Sequence, residues 1–123
     1  MPTFKRFEDI LAWQKTRDTA KLVYVVTDGG RFARDYGLRD QIRRASVSIM
    51  ANIAEGFGRR SDKDFANFLN MAFASSAECQ SHLYVAFDLE YLSKVQFDDL
   101  YARFSEISKM TISLSHHLRR SNG

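Results

Sequence analysis

The side chains capable of chemistry are few, and their spacing limits what they could do. Glu78 and His82 are four residues apart, so a helix would carry both on one face. A di-iron helical bundle needs Glu-x-x-His on two helices, together with further inward glutamates. Here the separation is four rather than three and the pair occurs once, so a hydrogen-bonded or solvated polar pair is the better reading. His116 and His117 are consecutive, and on a helix they diverge by about 100°. They read as cations of a last helical turn, where they complement the helix dipole. Cys79 is the single cysteine, which rules out an intramolecular disulfide. It falls on an apolar spacing with no histidine beside it, so it reads as a small core residue rather than a nucleophile. The segment GFGRRS (56–61) lacks the spacing and the lysine of a phosphate loop. Its Arg59 and Arg60 do sit beside glycines near the start of a helix, where backbone amides can meet a phosphate. The competing reading is a turn whose arginines pair with Asp62, Asp64 or a neighbouring subunit. No catalytic residue, metal ligand or cofactor site is expected, and the chain is not expected to be an enzyme.

The elements that would hold these residues are helices. The one proline is Pro2, and the six glycines avoid the middles of the long segments. Four helices are predicted, at roughly 7–28, 37–57, 62–91 and 94–120. The first carries Ile10, Trp13, Ala20, Val23 and Val26 beside Leu11 and Tyr24, and Asp28-Gly29-Gly30 stops it. Residues 31–36 read as a short connection. Gly56 suits a left-handed cap at the end of the second helix. Ser61 with Asp64, and Ser93 with Gln96, read as capping boxes opening the third and fourth. The third has the seam Phe65, Phe68/Leu69, Ala72, Ser76, Cys79, Leu83 and Ala86. In the fourth, Phe97, Leu100, Phe104, Ile107, Thr111, Leu114 and Leu118 alternate steps of three and four without a slip. The tail from Arg119 to Gly123 reads as frayed. The fold class expected is all-α: an antiparallel up-down-up-down four-helix bundle, one domain over residues 1–123. Trp13 and the ten phenylalanines fall mostly at core spacing, not as a base-stacking platform.

The second helix has more apolar surface than a surface helix needs. Leu38, Ile42, Ala45, Ile49 and Ile53 fall on one side; Val47, Met50, Ala54 and Phe57 fall on the adjoining side. Together they cover roughly 200° of arc, against the little over about 100° that one neighbouring layer covers. The remaining arc is polar: Gln41, Arg44, Ser48, Asn52 and Glu55. Val47, Met50, Ala54 and Phe57 are therefore the expected subunit interface, although Arg39 and Arg43 project on the same side. The protein is expected to assemble as a homo-oligomer.

The formal net charge of the 123 residues is only +3, but its distribution is uneven. Residues 31–60 carry seven arginines against three carboxylates, and residues 61–90 carry one lysine against five carboxylates. These segments can pair with each other inside the chain or between subunits. Alternatively, Arg39, Arg43, Arg44, Arg59 and Arg60 form a surface for RNA or DNA. No run of about 18 apolar residues is present to cross a membrane. The N-terminus has charge inside its first apolar run, so a cytoplasmic protein is the expectation.

Three stretches, FEDILAWQK (7–15), YGLRDQIRRASVSIMANIAEGFGR (36–59) and FLNMAFASSAEC (68–79), resemble a known family. It is the family of bacterial four-helix bundle proteins associated with intervening sequences in large-subunit ribosomal RNA. The accessory variability protein of diversity-generating retroelements is a relative. The resemblance runs from about Phe7 to Leu118, with SIMANIAEGFGR its most specific part. It implies a homopentamer and no enzymatic activity; in the retroelement relative a basic surface binds nucleic acid and the reverse transcriptase. The all-helical HEPN-type ribonucleases have a similar outline and use Arg followed, four to six residues later, by His. No histidine here has an arginine at that separation. Three functions follow in order: an oligomeric scaffold with a nucleic-acid surface, a protein–protein interaction module with no nucleic-acid role, and a metal-dependent or nuclease enzyme.

Overall fold

A computed structural model describes residues 4–121. After a single 3-10 turn at Phe7–Asp9, five helices follow: α1 Leu11–Val26, α2 Gly30–Arg34, α3 Tyr36–Phe57, α4 Asp62–Asp88 and α5 Lys94–Ser121. The four long helices are α1, α3, α4 and α5, and they pack around one core in the cyclic order α1–α3–α4–α5. Short connections between the long neighbours make them antiparallel, as the four predicted helices require. Among the described residues no helix is long and apolar enough to cross a membrane.

The details depart from expectation in several places, each with a physical reason. The first helix begins at Leu11 rather than residue 7, because the chain turns tightly at Phe7–Asp9 and is extended at Ile10. Residues 30–34 are a fifth, short helix and not an open connection; its Phe32 is buried and meets the Tyr91 ring with centroids 5.2 Å apart and planes tilted by 33°. Arg31 ties this turn to the end of α4 by donating to the Leu89 carbonyl at 3.0 Å. The third predicted helix ends at Asp88, where Glu90 takes a left-handed φ of 62°. There Tyr91 N–H bonds the Ala86 carbonyl (2.8 Å) and Glu90 N–H bonds that of Phe87 (2.9 Å). This is the paired closure of a Schellman end, made by a glutamate where glycine is usual. The tail is helical through Ser121, and Arg119 donates to Asn67 Oδ1 at 2.8 Å; residues 122 and 123 lie outside the described residues.

Gly56 is not a left-handed cap. It lies within α3, and a Cβ built there would come 2.6 Å from Phe68 Cβ and 3.0 Å from Phe65 Cδ1. The glycine is needed because α3 and α4 approach closely at that point. Both predicted cap serines act: Ser61 Oγ accepts from Asp64 N–H at 3.1 Å. Ser93 and Gln96 bond reciprocally at 3.1 and 2.9 Å.

The predicted seams of α4 and α5 form the core, with Phe104, Ile107, Leu69, Leu83 and Cys79 fully buried. Threonines of α1 join them. Thr16 and Thr19 are buried because each hydroxyl donates to the carbonyl four residues earlier (2.7 and 2.8 Å), leaving the methyl to face the core. Serines do similar work between α4 and α5: Ser76 donates to the Phe104 carbonyl at 3.0 Å and Ser115 to that of Ala66 at 3.2 Å. In α3, Ile42, Ala45, Ile49 and Ile53 are buried as predicted. Ser48 and Asn52, from the predicted polar arc, are half-buried, and Ser48 bonds Ser75 of α4 at 3.1 Å.

Candidate nucleic-acid interface

The five predicted arginines fall into two groups at different heights on the bundle. Arg44 and Arg59 are separated by roughly 20 Å of helix. The first group, Arg39, Arg43 and Arg44, lies where α3 begins to run beside α1. Arg39 is engaged locally: Nε donates to Asp40 at 2.9 Å, Nη1 to the Ala33 carbonyl at 3.0 Å, and the guanidinium lies 4.8 Å from the Tyr36 ring. It clasps the α2–α3 junction. Arg43 Nε donates to Thr27 Oγ1 at 2.8 Å, and its guanidinium lies 4.5 Å from the Tyr24 ring. Arg44 has no hydrogen-bond or ion-pair partner among the described residues. Tyr24, Asp40, Arg43, Arg44 and Val47 line an open groove between α1 and α3.

The second group, Arg59 and Arg60, stands at the opposite end, where α3 stops and α4 begins. Arg59 bonds Glu55 Oε1 at 2.9 Å and covers the Phe68 ring at 4.7 Å. Arg60 borders a hollow of about 210 Å³ with Phe4, Phe57, Asp62, Phe65 and Leu118, and has no partner among the described residues. Neither arginine pairs with Asp62 or Asp64.

Antiparallel packing brings the end of α5 to this same corner. Arg119 is anchored through Asn67 of α4, and Arg120 borders an apolar groove with Leu11, Met110, Leu114 and His117. Phe4 borders both the hollow and the groove, so the two sets of arginines surround one end of the bundle. Lys63, in the first turn of α4, is exposed at the same end of the bundle. Arg119 and Arg120 also complement the negative end of the α5 dipole. Lys63, Arg119 and Arg120 were not singled out from sequence, because they are remote from Arg59 in the chain and Arg119 and Arg120 lie in a stretch that reads as frayed.

The expected interface residues of α3 are Val47, exposed at 41%, and Met50, Ala54 and Phe57, all half-buried. Phe57 meets Phe65 edge-on with centroids 6.2 Å apart. Arg43, seven residues before Met50 and on the same side, reaches Thr27 and Tyr24, so this flank of α3 runs along α1. Part of its surplus apolar surface is thus covered within the chain.

The reactive candidates are placed as follows. Glu78 Oε2 and His82 Nε2 are 3.1 Å apart on the outside of α4. Among the described residues no group of three His, Cys, Asp or Glu could hold a metal ion. Cys79 is buried, and desolvation, with a smaller contribution from Glu78, pushes its thiol far above the ordinary range. A thiol in that state is a packing group. His116 is exposed and His117 half-buried on α5.

Residues 8–113 match the model of the 23S rRNA-intervening sequence protein family. A comparison with curated proteins finds no match. Among solved structures, a protein of unknown function from the S23 ribosomal protein family of Bacteroides thetaiotaomicron superposes with a TM-score of 0.80 at 28% identity, covering 88% of this chain and 97% of that one. On sequence and on fold, the chain belongs to the 23S rRNA-intervening sequence protein family.

Proposed function

We propose that the protein is a non-enzymatic scaffold that assembles with copies of itself and binds RNA or DNA through the basic end of the bundle. The observation that carries the nucleic-acid part is that Arg59 and Arg60 border the Phe4-lined hollow while Arg120 borders the adjoining groove that Phe4 also lines, with Arg119 and Lys63 exposed at the same end of the bundle. Among the described residues Arg60 has no protein partner, and the Arg59 guanidinium lies 4.7 Å from the Phe68 ring and is exposed. Guanidinium groups among aromatic rings suit a phosphate backbone with unstacked bases. The family's description, which names an intervening sequence of 23S rRNA, is in keeping with an RNA ligand. Copies held in one assembly would multiply a weak site through effective concentration. Polarisation titrations with single-stranded RNA and DNA at rising salt test the reading. Four phosphate contacts per site would give a salt slope near about −3 for single strands. Absence of binding at low salt removes it.

A protein–protein interaction module is the second reading. It is favoured by the exposed apolar side chains of α4, where Met71 is 51% and Tyr84 51% accessible. Co-purification of a protein such as a reverse transcriptase, with indifference to nucleic acid, would support it.

A further inference from the structure

The hollow at the basic end of the bundle has a lining that phosphate binding alone does not need. It measures about 210 Å³, below the range of about 300–1,000 Å³ typical of sites for drug-sized ligands, so it takes a fragment such as one planar base. Its apolar lining is Phe4, Phe57, Phe65 and Leu118. Phe65 and Leu118 are buried, whereas Phe4 and Phe57 are half-buried and stay partly open to a ligand. The Phe57 and Phe65 rings stand nearly perpendicular, at 82°. An apolar recess among aromatic side chains replaces the neighbours that a base loses when it leaves the stack.

The polar lining is of mixed sign. Arg60 and Asp62 border the hollow on either side of the N-cap Ser61, whose hydroxyl is taken by the Asp64 N–H. The half-buried Asp62 carboxylate has no hydrogen-bond or ion-pair partner among the described residues, and Arg59 bonds Glu55 instead. A carboxylate left unpaired there weakens phosphate binding unless a donor of the ligand meets it. Ionised, it only accepts hydrogen bonds, so the base it favours is the one with two adjacent donors. Guanine is that base: its N1–H and N2 amine lie side by side and suit a carboxylate as a bidentate pair. On the same edge, adenine and cytosine set a ring-nitrogen acceptor beside their single amine, and uracil flanks its N3–H with two carbonyls. Each of those acceptors repels a carboxylate.

We infer that the hollow is a base pocket selecting an unpaired guanine of a single strand, with Asp62 accepting from its N1–H and N2 amine. This deepens the nucleic-acid part of the proposed function and rests on it. Arg59, Arg60, Arg119 and Arg120 hold phosphates, which every sequence shares, and Asp62 is the specificity-determining residue. A guanine paired in a duplex has the same two donors engaged by cytosine, so the pocket also favours single strands over double strands.

The test reads polarisation of short labelled uridine strands that carry one central guanine, one inosine, or neither. Wild type is expected to bind the guanine strand about tenfold tighter than the all-uridine strand, within the range that one bidentate base contact contributes. Inosine, which keeps N1–H but lacks the N2 amine, is expected to fall between them. In Asp62→Asn the ratio of the two affinities is expected to collapse. Asp64→Asn, which removes an exposed carboxylate of the same helical turn, is expected to keep it, with the fold of both variants checked by circular dichroism. Equal affinity of wild type for the guanine and uridine strands would overturn the inference and leave the nucleic-acid reading standing. So would inosine binding as tightly as guanine, or a guanine preference that survives Asp62→Asn. Guanosine monophosphate is expected to compete only at far higher concentration than the strand, because it lacks the flanking phosphates. Competition at equal concentration would place a free nucleotide in the hollow and overturn the assignment to a strand. Absence of binding to every strand at low salt would remove the nucleic-acid reading and this inference together.

Discussion

At the scale of single residues, Gly56 and Cys79 show how the core constrains what the chain can do. Any side chain at Gly56 must displace Phe68 or Phe65, because a Cβ there would stand 2.6 Å from Phe68 Cβ. Gly56→Ala is therefore expected to destabilise the fold by about 1–3 kcal/mol, the usual cost of overpacking, measured by chemical denaturation. No change in stability would show that α3 and α4 are farther apart there. Cys79 is held as the neutral thiol by burial. Its value is raised above the ordinary 9.0, so the stability it contributes is complete below that pH. It declines as pH rises further and the unfolded thiol ionises. The expected outcome with an aromatic disulfide reagent at pH 8 is no reaction in the folded protein and one thiol after denaturation. Rapid reaction of the native protein would contradict the buried placement.

At the scale of elements, the end of α4 carries a measurable strain. Glu90 adopts a left-handed φ of 62°, a conformation costing an L-residue about 1–2 kcal/mol and glycine little. Glu90→Gly is expected to raise the thermal midpoint by roughly 3 °C, for a gain near 1 kcal/mol in a chain of this size. A lower midpoint would mean that the glutamate side chain contributes more than its backbone costs. This stop was not legible in the sequence, since neither glycine nor proline marks it. The seams of α4 and α5 were legible because large apolar residues recur there at three-four spacing. The buried Thr16, Thr19 and Ser115 were not, because side chains that bond a nearby carbonyl look polar until their partner is known. The same blindness applies to the basic end: Arg59 and Arg119 are distant in sequence, and only antiparallel packing of α4 and α5 brings them to one corner. Conversely, the surplus apolar arc of α3 drew the sequence reading toward that helix. Exposed large apolar side chains stand on α4 as well, namely Met71, Phe73, Tyr84 and Val85.

At the scale of the whole molecule, the arginines fall into two groups: Arg59, Arg60, Arg119 and Arg120 at one end of the bundle, and Arg39, Arg43 and Arg44 where α3 begins. The proposed function gives the first group to nucleic acid. It makes the two arginine groups separable by mutation. The most direct measurement is a fluorescence-polarisation titration of single-stranded RNA, at several salt concentrations. It compares wild type with an Arg59→Ser/Arg60→Ser/Arg119→Ser variant whose assembly is intact. The expected result is a large loss of affinity together with a salt slope shallower by about 2, since each phosphate contact contributes about 0.7 on a single strand. Unchanged affinity and slope in that variant would contradict the account.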